Sequence, residues 1–186
     1  MSSCYTFFMN KKLDSVIVIP VPDADIIVEK WREKHDRVAR LGIPAHITLL
    51  FPFKTPSAIN KTVINKLELL FSMIKIFSFS LTTIETFPNV IYLTPNPKKA
   101  FVDITKKIVS IFPENPPYEG KFPDINPHLT IGQLSEKDNF TEVLLNIKED
   151  VQNKLPLKTK ATEARLMVEN PDGKWITMQT FQLRNN

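Results

Sequence analysis

Apolar and polar positions alternate along this chain with two different periods, and the switches between them mark out its elements. Ser15-Val16-Ile17-Val18-Ile19 is a continuous apolar run ended by Pro20 and Pro22, which predicts a buried strand. From about Ala24 to Arg40 the apolar residues Ile27, Trp31 and Val38 recur at helical spacing, with Asp23 as a candidate N-cap. Residues 45–51 predict a second strand, and Thr55-Pro56 a helix start, with Ile59, Val63, Leu67 and Leu70 as its inward stripe. Phe77, Phe79 and Leu81 alternate with Ser78, Ser80 and Thr82, the period of a half-buried strand.

The same order then recurs. Residues 90–94 predict a strand. A helix follows from Asn96-Pro97, with Phe101, Ile104, Ile108 and Ile111 facing inward. Residues 112–127 are proline-rich and predict a loop, and 128–133 a strand. Ser135 and Asp138 suggest a capped start for a helix that turns Phe140, Val143, Ile147 and Val151 inward. Residues 157–168 and 175–183 predict a closing hairpin that turns at Asn170-Pro171-Asp172-Gly173. Each half therefore reads strand, helix, strand, helix, strand, about 15–86 and about 90–184, behind an extension at 1–14. We expect one α+β domain over 15–186, a duplicated β-α-β-α-β unit with pseudo-two-fold symmetry. Its two lobes should flank a central cleft between two antiparallel sheets.

The second strand of each half carries the candidate chemistry. Pro44-Ala45-His46-Ile47-Thr48-Leu49 matches Pro127-His128-Leu129-Thr130-Ile131, and the two histidines stand 82 positions apart, close to half of the 186 residues. Strand residues two apart share a face, so each histidine projects with its threonine while Ile47 and Leu129 turn to the core. A two-fold axis would bring the two polar pairs into opposition. Imidazole titrates near pH 6.5, so two of them can remove one proton and supply another near neutrality. The threonine hydroxyls could donate to non-bridging phosphoryl oxygens. One isolated His-x-Thr carries little information; two matched copies among only three histidines carry much more. The third, His35, lies among Arg32, Glu33, Lys34, Asp36 and Arg37, which predicts a solvated face.

Phe51 and Phe53 alternate beyond the first motif, where one could stack on a base, although core packing is the stronger expectation. Tyr118 and Lys121 precede the second motif in a loop that could cover substrate. Tyr92 and Trp175 are expected in the core, and Arg40 at a helix C-terminus needs no ligand.

Composition adds little to this. A net charge of +4 suits an anionic ligand, but the lysines are scattered. The single Cys4 cannot form an internal disulfide, consistent with a reducing cytoplasm. Tyr5–Met9 is too short for a signal peptide, and no apolar run approaches the roughly 20 residues of a membrane span. Three histidines without ligand spacing do not build a dedicated metal site, and no cofactor is expected. No protein partner is required, and a cytoplasmic monomer is the expectation.

The paired motifs resemble the H-x-[ST] signatures of the 2H phosphoesterase superfamily, in particular its bacterial 2′-5′ RNA ligase/cyclic phosphodiesterase branch. The likeness extends to Val16–Pro22, Trp31–Asp36, Gly42–Phe53, Ile91–Leu93, Phe112–Tyr118 with Gly120, and Pro127–Thr130, and spans roughly 15–184. The resemblance implies a bilobal fold with its site between the lobes. It also implies His46 and His128 as acid/base residues, with Thr48 and Thr130 binding phosphate. The implied substrates are nucleotides or RNA bearing 2′,3′-cyclic phosphates or 2′-5′ linkages, with weak RNA ligation in some members. A non-catalytic nucleotide-binding module that keeps the pocket is the alternative.

Overall fold

The computed structural model describes residues 13–185, so the expectations for Cys4 and Tyr5–Met9 lie outside the described residues. Eight strands form two four-stranded antiparallel sheets. The first sheet contains β1 (Ser15–Pro20), β2 (His46–Leu50), β7 (Glu163–Glu169) and β8 (Trp175–Gln182), in the order β2-β1-β7-β8. The second contains β3 (Phe77–Phe87), β4 (Val90–Asn96), β5 (Leu129–Gln133) and β6 (Leu157–Ala161), in the order β5-β4-β3-β6. The second strand of each half thus lies at a sheet edge, and β2 and β5 meet.

Helices α1 (Pro22–His35) and α4 (Lys99–Ile111) make equivalent crossovers, from β1 to β2 and from β4 to β5. Each docks on the other sheet: α1 on β5, α4 on β2. Thr105 of α4 donates its hydroxyl to the Leu49 carbonyl at 2.9 Å, and Gly132 of β5 receives His35 of α1. An edge strand exposes unpaired backbone groups, and these crossed helices cover both motif-bearing edges.

The two motif-bearing strands share an irregularity in their ladders. The β1–β2 register slips between Ile17↔Leu50 and Val18↔Thr48, and the β4–β5 register between Ile91↔Gly132 and Tyr92↔Thr130. Both bulges fall just beyond the motif threonine. A bulge bends its strand and re-aims side chains, and bulges are frequent beside functional sites.

Strand alternation places the core. Ile17, Ile19, Ile47 and Leu49 of the first sheet join Ile91, Leu93, Leu129 and Ile131 of the second in one cluster with Phe71, Phe101 and Ile108 from the helices. Burial of each such side chain contributes roughly 1.5–3 kcal/mol. The opposite faces carry His46, Thr48, His128 and Thr130. On the first sheet that face also bears a small apolar group, Val16, Val18, Ile43 and Met167, with Phe51 and Trp175 packed against it.

Several expectations need correction. Residues 157–168 are two strands in two sheets, β6 and β7, parted at Thr162, because the chain leaves one lobe to complete the other. In α1, Pro22 occupies the first turn and Val21 the N-cap position, so Asp23 lies inside the helix, where its carboxylate accepts from Thr159. The helix stops at His35 because Asp36 adopts an extended conformation, caps Val38 and opens the short α2 (Arg37–Arg40). Thr55-Pro56 begins only a single 3-10 turn, and α3 (Lys61–Ser72) starts after the Asn60 cap. Ser135 and Asp138 close a turn ahead of α5 (Phe140–Val151), whose cap is Asn139.

Candidate active site

Each motif histidine is held by its own main chain. His46 Nδ1 donates to the Pro44 carbonyl at 2.8 Å, and His128 Nδ1 to the Asn126 carbonyl at 2.8 Å. A carbonyl can only accept, so each Nδ1 carries a proton and each Nε2 is left free for chemistry. Such an anchor fixes the ring orientation as well as the tautomer. In each case the carbonyl lies two residues upstream of the ring that it anchors.

Both imidazoles are half-buried. Burial lowers the His46 pKa to about 4, assisted by the charges of Arg32 and His128 and opposed by the Pro44 hydrogen bond. The influence of His128 on His46 places the two rings within electrostatic reach across the junction of β2 and β5. Burial also lowers the pKa of His128, opposed by the Asn126 hydrogen bond and helped by the Lys98 charge. Both rings are therefore neutral in the free protein at neutral pH. Thr48 and Thr130 are half-buried and follow their histidines on the same faces.

The surroundings of the two rings differ. His128 sits against Phe87 and Tyr92, with ring centroids 5.2 Å away in each case, and Tyr92 donates its hydroxyl to Glu85. Behind the His46 strand is Arg32, almost wholly buried, which donates to Asp36 at 2.9 and 3.2 Å and to the Ile43 carbonyl at 3.1 Å. Asp25 accepts from the Ala45 N–H, so α1 holds the approach to His46 at two points.

Of the candidates outside the two motifs, Phe53 is taken up by the core, edge-on to Phe112 at 5.1 Å, and has no open face for a base. Phe51 is half-exposed beside Trp175, 6.3 Å away, on the His46 side of the sheet. Tyr118 reaches the same end of β2: its N–H donates to the Phe51 carbonyl at 2.7 Å, and its ring meets Phe122. Tyr118 and Glu119 both adopt positive φ, 50° and 57°, a conformation that side chains other than glycine rarely take. Lys121 is exposed and pairs with Glu119 at 2.6 Å.

At the edge of the site one expectation is overturned and another is met. His35 is buried, stacked on Trp31 at 6.2 Å, with its Cβ against Gly132, because a glycine in β5 leaves a slot that the ring's stem fills. Tyr92 is buried as expected but also walls His128. Sequence reading missed Lys98 and Asn126, which no local pattern marks. It also left Arg32 unexamined except as a solvated neighbour of His35. Among the described residues no three His, Cys, Asp or Glu side chains group as metal ligands, and no helix is long and apolar enough to cross a membrane.

Two sheets joined at edge strands, each presenting a histidine with a fixed tautomer to the junction, define a LigT-like α+β fold of the 2H phosphoesterase class. Residues 20–173 match the model of the 2′-5′ RNA ligase superfamily, and the chain belongs to that family. A Bacillus licheniformis protein named for an inferred phosphoesterase activity is 24% identical over 173 residues, 90% of this chain and 96% of the relative. Escherichia coli LigT in complex with 3′-AMP superposes with a TM-score of 0.60 at 15% identity, covering 92% of this chain and 98% of LigT. The LigT complex with NADP+ gives a TM-score of 0.58 at 18% identity, over 94% and 99% of the two chains.

Proposed function

We propose that this protein is a phosphodiesterase that opens 2′,3′-cyclic phosphates or cleaves 2′-5′ linkages in nucleotides or RNA, using His46 and His128 as general base and general acid. The observation that carries this reading is the matched pair of Nδ1 anchors, which leaves two Nε2 atoms at one junction with the same tautomer. One neutral imidazole takes a proton from the attacking water. The other takes up a proton from solvent as the anionic phosphate binds beside it and delivers that proton to the ribose oxygen that leaves phosphorus; the base then returns its proton to solvent, so charge and protons balance over one cycle. Each step of this kind typically contributes roughly 10²–10⁴-fold. Thr48 and Thr130 donate to the non-bridging oxygens, where charge accumulates. The scheme requires no metal ion. Binding of 3′-AMP and NADP+ by LigT, a protein of the same fold, supports a nucleotide as the ligand here.

The test is turnover of 2′,3′-cyclic nucleotides and 2′-5′-linked dinucleotides in EDTA by the wild type, His46→Ala and His128→Ala. Loss of at least 10²-fold in kcat in each single variant is expected. Histidine-dependent binding without any turnover would instead identify a nucleotide-binding module.

A further inference from the structure

The two histidines share one kind of anchor but not one kind of charge. Beside His46 the cation is Arg32, enclosed by Asp36 and the Ile43 carbonyl. Beside His128 it is Lys98, half-buried, immediately before α4, with Nζ 2.9 Å from Asn126 Oδ1. The main-chain carbonyl of that same Asn126 accepts the His128 Nδ1–H. An ammonium, an asparagine and an imidazole thus form one continuous chain.

Helix energetics do not explain a lysine at this position. Lys98 is the N-cap residue of α4 and makes no capping hydrogen bond. An N-cap favours Ser, Thr, Asp or Asn, and a cation is disfavoured at the positive end of the helix dipole. An anion at this place would reverse that penalty. An ammonium has three donors, and Asn126 occupies one, which leaves two. The other groups that face His128 are the rings of Phe87 from β3 and Tyr92 from β4, Glu85 through the Tyr92 hydroxyl, and His46 from β2. The Lys98 charge acts on both Glu85 and His128, so its ammonium lies within electrostatic reach of the carboxylate and of the ring.

Resting on the phosphodiesterase reading, we propose that Lys98 binds the substrate phosphate and, through Asn126, positions His128. The phosphoryl oxygens then lie toward the second lobe, and substrate binding engages the same side chain that steadies the ring. The pseudo-symmetric site becomes directional, with a tethered cation that can reach substrate on one side and an enclosed guanidinium on the other.

The experiment measures kcat and KM for a 2′,3′-cyclic nucleotide between pH 4 and 9 in the wild type, Lys98→Met, Lys98→Gln and Lys98→Arg. With Lys98→Met, KM should rise about tenfold, the loss of one charge-assisted hydrogen bond. The histidine limb of the pH profile should also move to higher pH, since a neighbouring cation no longer opposes protonation. Lys98→Gln, which keeps an amide donor for Asn126, should show the same KM rise and the same displaced limb, whereas Lys98→Arg should recover most of both. Wild-type KM and an unmoved limb in the Met and Gln variants would overturn the inference alone. Absence of turnover by the wild type would overturn the phosphodiesterase reading and this inference with it.

Discussion

Replacing Arg32 by methionine removes one partner of a buried ion pair while keeping most of the side-chain volume. Arg32 and Asp36 are 3% and 2% exposed, so the carboxylate left behind has no water to turn to. It keeps the Val38 N–H but loses the donors at 2.9 and 3.2 Å, and the Ile43 carbonyl loses its donor at 3.1 Å. Orphaning one member of such a pair costs about 3–5 kcal/mol. For a chain of this size each kcal/mol moves Tm by about 2–4 °C, so a fall of roughly 6–20 °C is expected by calorimetry. Because α1 holds the approach to His46 through these same bonds, the His46 pKa should also rise when the Arg32 charge is removed, readable by NMR titration. Adding Asp36→Asn removes the stranded charge while its side-chain oxygen can still cap Val38, and the double variant should recover all but about 1–2 kcal/mol. A single variant destabilised by less than 1 kcal/mol, or a double variant no better than the single, would refute the buried-pair reasoning.

Stability should depend on pH through the histidines. His46 has its pKa depressed to about 4 in the folded chain, whereas unfolded histidine titrates near 6.5. Between those values the unfolded chain binds the proton and the folded chain does not, so stability is full above pH 6.5 and falls as pH drops toward 4. The loss is at most about 3 kcal/mol from this ring, and urea midpoints at pH 7, 6 and 5 should fall less steeply in His46→Gln. The two aromatic candidates should separate cleanly. Phe53→Ala empties a core site and should cost about 3–5 kcal/mol of stability, while Phe51→Ala should act mainly on KM for a nucleotide; a large stability loss from Phe51→Ala alone would reverse their roles. Gly132→Val places a Cβ 3.0 Å from His35 Cβ and should push α1 off β5. About 1–3 kcal/mol of destabilisation is expected from such overpacking, together with a lower kcat because His128 lies on the same edge; unchanged chemical denaturation would argue against the slot.

What was legible in the sequence is what local periodicity and duplication encode. Alternation at His46-Ile47-Thr48 and His128-Leu129-Thr130 marked both the core-facing residue and the polar pair, because side-chain direction in a strand has a period of two. The spacing of the two motifs carried the two-fold, and so the prediction that the polar pairs meet. Tertiary structure decided the rest. That 157–168 divides between two sheets depends on which strand lies beside each half, and periodicity is the same in either sheet. His35 is surrounded in sequence by charges but buried in space, because the missing side chain of Gly132 makes room for it. Lys98 and Asn126 lie 28 positions apart and signal nothing separately. Only the crossover of α4, which brings the start of that helix beside the loop leading into β5, makes them one hydrogen-bonded unit with His128. Local pattern specifies which way a side chain points; its partner across the cleft depends on chain topology, and there the chemistry of this site acquires its direction.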